Sequence, residues 1–136
     1  MAGVATSKIS VKVTGIGDDI ETNPDWNTTT LTVPTEVASG YVIVEDATST
    51  AKQLSLLAPH IALAKMDTLY IKAEVGTIYI ILDTAGTTTF GSATADIVLT
   101  VGKDMLIHLN QAGNAGVVID AAAVTDAFSF VLTGTA

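Results

Sequence analysis

The chain has 136 residues and a formal charge of −8, with six basic residues against fourteen acidic ones. Every basic residue is a lysine and the pI is about 4.3, so the chain has no phosphate-neutralising footprint; this argues against nucleic acid and disfavours anionic membrane surfaces. It has no cysteine, which excludes disulfides and thiolate metal sites, and only 15% of its residues are charged, against about 25% in an ordinary soluble domain.

The first segment, 1-MAGVATS-7, is small and polar and lacks the apolar stretch of a secretory signal. It predicts a flexible arm ahead of one domain over 8–136. From residue 8 onward apolar residues recur with period two, the period of strands. The run 8-KISVKVT-14 reads as a strand with Ile9, Val11 and Val13 inward. A loop over 15–27 follows. In it, 18-DDIETNPDW-26 gathers Asp18, Asp19, Glu21, Asn23 and Asp25, hard oxygen ligands of the kind calcium takes. The spacing lacks the D-x-D-x-D-G order and the terminal glutamate of an EF-hand, and a solvated acidic loop explains the same residues. No metal or cofactor is therefore assigned. Trp26, the one tryptophan, reads as a plug at the end of the fold or in an interface. The alternative is a stacking platform for a sugar.

Strands are then expected at 28-TTTLTV-33, 41-YVIVED-46 and 53-QLSLL-57. The one candidate helix is 59-PHIALAKM-66, with proline at a possible first position. The stretch 68-TLYIKAEVGTIYIILDTAG-86 reads as a hairpin turning at Gly76. Its first strand alternates well: Leu69, Ile71, Ala73 and Val75 on one face, Tyr70, Lys72 and Glu74 on the other. Its second does not. Ile78, Ile80 and Leu82 point one way, but Tyr79 and Ile81 place apolar groups on the face that should meet water. After a loop over 84–94, 96-DIVLTV-101 and 105-MLIHLN-110 read as another hairpin, joined by 102-GKD-104. Ile97, Leu99, Val101, Met105, Ile107 and Leu109 are then inward, which leaves Val98 and Leu106 outside. The chain closes with 116-GVVID-120 and 127-AFSFVLT-133. Eight to ten short strands with at most one short helix predict an all-β, single-domain antiparallel sandwich of jelly-roll type.

Tyr79, Ile81, Val98 and Leu106 are the candidate subunit interface. If their strands share a sheet they form an apolar patch, and the low charge of the chain also points to surface hidden in an assembly. A loop or arm of the same chain covering them is the competing explanation.

No catalytic pattern emerges. Ser39 in 38-ASGY-41 is not a G-x-S-x-G elbow. His60 and His108 sit in no metal-ligand spacing, and two histidines without supporting geometry do not make a triad. The carboxylates Asp18 or Asp19 with Glu45 or Asp46 have no spacing that identifies a glycosidase pair. The glycines of 15-GIG-17 and 113-GNAG-116 join no strand to a helix and read as turns. The expectation is a non-enzyme.

The segments 69-LYIKAEVGTIYIILD-83 and 98-VLTVGKDMLIHL-109, with the closing 128-FSFVLTGTA-136, form an order that resembles small virion proteins of tailed bacteriophages, above all capsid decoration (cement) proteins. The resemblance covers roughly residues 60 to 136. It implies a subunit made in the host cytoplasm that binds the major capsid protein on the outer virion surface, forms a trimer or another small oligomer, and stabilises the shell without catalysis or cofactor. A carbohydrate-binding β-sandwich module and a tail or fibre subunit are the alternative readings.

Overall fold

Alternating Val, Ile, Thr and aromatic residues suit a pleated surface with one buried face, and most segments read as strands above are strands. The computed structural model describes residues 6–8, 12–13, 20–21, 28–30, 35–44, 52–82, 95–109 and 116–135. Contacts divide the chain into two units, at Thr35 and Glu36. Thr6 and Ser7, the last two residues of the expected arm, pair in a strand; residues 1–5 lie outside the described residues.

In the first unit, β1 (Thr6–Lys8) pairs antiparallel with β4 (Thr28–Thr30), and β2 (Lys12–Val13) pairs with β3 (Ile20–Glu21). Ile9 and Val11 lie outside the described residues, as do residues 31–33 of the expected second strand.

Among the described residues the second unit holds eight strands: β5 (Glu36–Ile43), β6 (Lys52–Gln53), β7 (Met66–Val75), β8 (Thr77–Ile81), β9 (Ile97–Thr100), β10 (Asp104–His108), β11 (Val118–Ala121) and β12 (Ala127–Gly134). They form two antiparallel four-stranded sheets, ordered β10-β7-β12-β5 and β9-β8-β11-β6. Every connection but β8–β9 passes from one sheet to the other. Two sheets wound together in this order form a jelly roll. The expected antiparallel sandwich is present.

One core lies between the sheets. The first contributes Ala38, Leu69, Ile71, Ala73, Phe128, Phe130 and Leu132; the second contributes Ile78, Ile80, Leu99, Ile119 and Ala121. The rings of Phe128 and Phe130 lie 6.2 Å apart and tilted. Phe130 crosses to Gly40 on the neighbouring strand, where a Cβ would come within 3.1 Å of the ring.

Several expectations are corrected. Gly76 does not turn a hairpin, since β7 and β8 belong to different sheets and do not pair. It makes a corner at φ 68°. Asp126 closes that corner: its Oδ2 accepts from the Thr77 N–H at 3.0 Å and the Ala123 N–H at 3.1 Å. The Thr77 carbonyl accepts in turn from the Ala122 N–H, so the β7–β8 corner is tied to the β11–β12 corner. Gly102, at φ 80°, turns β9 into β10 and again changes sheet.

The expected strand 53–57 is a strand for Gln53 only. Leu54–Leu57 form one helical turn, α1, whose Leu54 is buried. The expected helix 59–66 reduces to a 3-10 turn, Leu63–Lys65. Val75, Leu82 and Val101 sit at strand ends and are exposed rather than inward. The strand expected to begin at Tyr41 begins at Glu36.

Candidate interaction face

The outer face of the β10-β7-β12-β5 sheet is built in rows, because residues paired across antiparallel strands share a face. One row runs Tyr41, Ser129, Lys72, Asp104. The next runs Ser39, Val131, Tyr70, Leu106, and a third Val37, Thr133, Thr68, His108. Ile43 and Ala127 stand opposite each other at one end.

The two halves of this face differ in chemistry. On the β7–β10 side, polar groups neutralise one another. Ser129 Oγ donates to Glu74 Oε1 at 2.6 Å, and Lys72 Nζ to Glu74 Oε2 at 3.0 Å. The Ser129 hydroxyl, and after it Lys72, hold the Glu74 carboxyl below its usual range. The same bond to Glu74 raises Lys72. Tyr70 OH donates to Asp104 Oδ2 at 3.2 Å, and partial burial, then that bond, push the phenol up.

On the β5 side the face is apolar and open. Val37, Tyr41, Ile43 and Val131 are 53%, 58%, 53% and 40% exposed. Alternation along β5 puts the first three on one side, and Val131 enters between them from β12. These four groups make this side of the sheet the candidate interaction face, since large exposed apolar patches are where partners dock.

The four interface candidates do not come together as one patch. Tyr79 and Val98 are direct cross-strand partners on β8 and β9, and Ile81 follows Tyr79 on the same face. Leu106 is on the other sheet, opposite Tyr70. Ile81 is only 4% exposed within a single chain, as is its partner Val118 at 1%, whereas Val98 is 52% exposed. The covering that Ile81 requires is thus supplied by the chain itself, and of that trio Val98 is the open group.

His60 Nε2 donates to the Val37 carbonyl at 3.2 Å, and His108 Nδ1 lies 3.5 Å from Thr68 Oγ1. Glu21 pairs opposite Lys12 in the first unit. Asp18, Asp19, Asn23, Asp25 and Trp26 lie outside the described residues. Ser39 stands on the outer face of β5 with no acid–base partner among the described residues. No family model matches the chain, and no curated protein or solved structure matches it either.

The sequence reading missed Val37, Ile43 and Val131. A signal existed, since Val37, Ser39, Tyr41 and Ile43 alternate. It was masked because Ala38, Val42 and Val44 make the other face apolar too, and a strand apolar on both faces does not say which face is outside.

Proposed function

We propose that this protein is a structural virion subunit that decorates the outer capsid surface and stabilises the shell. The observation that carries this reading is the open apolar strip of Val37, Tyr41, Ile43 and Val131 on one sheet face of a small, sparsely charged jelly roll. A surface of this kind gains free energy by meeting a protein, and each contact can be weak because many copies act on one shell. The partner is the major capsid protein. The reading assigns no reaction and no cofactor. The resemblance of segments 69–83 and 98–109 to decoration proteins supports it; the jelly roll alone would not, because that fold hosts unrelated functions.

The test is co-sedimentation with bare capsid shells of a tailed phage. The unaltered protein is expected to pellet with shells and saturate. Ile43→Ser together with Val131→Ser is expected to weaken binding at least about ten-fold, an amount that loss of two apolar contacts supplies. Unimpaired shell binding by that variant would remove the strip from the reading. Silence on shells with a signal on a glycan array would replace the reading with saccharide binding.

A further inference from the structure

The apolar strip runs beside a sheet edge. Val44 N–H donates to the Asp126 carbonyl at 2.9 Å, in register with the Ile43–Ala127 pair. In an antiparallel ladder, alternate residues direct both backbone groups to the same neighbour. Even-numbered residues of β5 therefore bond to β12, and Val37, Ser39, Tyr41 and Ile43 direct their N–H and C=O groups to the free edge. The Val37 carbonyl is taken by His60. The edge groups of Ser39, Tyr41 and Ile43 have no partner among the described residues, and all three residues are exposed.

Natural edges are usually blunted by lysine, proline or a bulge. Residues 36–43 contain no lysine or proline, and their pairing with β12 has no register shift. We propose that the Ser39–Ile43 edge pairs with the same edge of a second copy, antiparallel, about a two-fold axis through Tyr41. Three features favour a second copy as the occupant. The edge offers donors and acceptors in alternation, so its own antiparallel image satisfies it: Ser39 against Ile43, Tyr41 against Tyr41, with about six backbone hydrogen bonds. It is uncharged from Val37 to Ile43, so two chains of charge −8 meet along a stretch that carries none of that charge. His60 narrows the register, because pairing centred on Gly40 would need the Val37 carbonyl it already occupies, and pairing centred on Tyr41 engages Ser39, Tyr41 and Ile43 together. The contact is isologous; the trimer implied by the resemblance would need another surface.

Five paired residues and their flanking side chains bury less than the ~1,200 Å² of a stable interface, so the dissociation constant is expected on the order of 10–100 μM. Light scattering across about 5 μM to 1 mM is the first test, and a reversible monomer–dimer equilibrium is expected. Tyr41→Pro removes an edge donor that β12 does not use; it should weaken dimerisation at least about ten-fold and leave the far-ultraviolet circular dichroism unchanged. The cysteine-free chain permits a second measurement that does not depend on that variant folding. Tyr41→Cys places thiols about 5.5 Å apart at Cα across the axis and should cross-link on mild oxidation, whereas Val131→Cys, one strand further in, should not. A strict monomer at 1 mM, a dimer retained by folded Tyr41→Pro, or equal cross-linking from both positions would each overturn the contact. Shell binding by a strict monomer would overturn it and leave the decoration reading standing.

Discussion

Among the described residues, two glycines adopt positive φ and make the same kind of turn between sheets, yet substitution should separate them. At Gly76 a Cβ would lie 1.8 Å from Asp126 Oδ1; at Gly102 it would meet nothing within 4 Å. Gly102→Ala should cost only the left-handed backbone term, about 1 kcal/mol. Gly76→Ala should add the displacement of Asp126 from the Thr77 and Ala123 N–H groups, for a total of about 3–5 kcal/mol. Urea unfolding of the two variants checks this, and equal losses would mean that Asp126 moves aside freely. A second residue-scale test concerns Glu74, whose pKa is depressed by Ser129 first and Lys72 second. A depressed carboxyl contributes stability that is present above its unfolded value and lost as pH falls through the folded one. Ser129→Ala should therefore raise the Glu74 pKa toward the usual 4.5, so that the carboxyl contributes less stability and its acid loss becomes smaller and is complete at a higher pH. Carbon-detected NMR titration of Glu74 reads the shift, and an unmoved pKa would remove Ser129 as its cause.

Elements were legible where one face was plainly apolar. Leu69, Ile71 and Ala73 set β7, and Phe128, Phe130 and Leu132 set β12, because alternation is a local property of the chain. Partner choice is not local. Gly76 and Gly102 look like hairpin turns, since both lie between alternating segments; only the sheet order shows that each changes layer. Leu54 misled for a different reason, because a few apolar residues fit a strand or one helical turn equally well. The interface candidates failed as a set at the same scale: Tyr79 and Val98 do meet, but Leu106 entered a different sheet. The open apolar strip was hidden because β5 is apolar on both faces. The outer face of β8 and β9 supplies its own test. Ile81→Ala should cost about 2–4 kcal/mol, as a buried truncation does, whereas Val98→Ala should stay within about 1 kcal/mol. Thermal melts of the two variants decide it, and a loss at Val98 matching that at Ile81 would mean the valine too is covered in solution.

At the scale of the whole molecule, charge and the open edge oppose one another. Each chain carries −8, so association brings like charges together, while the strip and edge that would meet are apolar or backbone. Repulsion of this sort acts over a Debye length, about 10 Å at 0.1 M salt and 3 Å at 1 M. The backbone bonds and apolar contacts of a β5 edge are barely screened. Dimerisation should therefore strengthen several-fold between roughly 20 mM and 0.5 M sodium chloride, and again as pH falls toward the pI of about 4.3. Sedimentation velocity across a salt series measures this directly. Weakening with salt would mean that opposite charges hold the copies together, which would move the contact from the β5 edge to the Lys72–Glu74–Asp104 side of the same sheet.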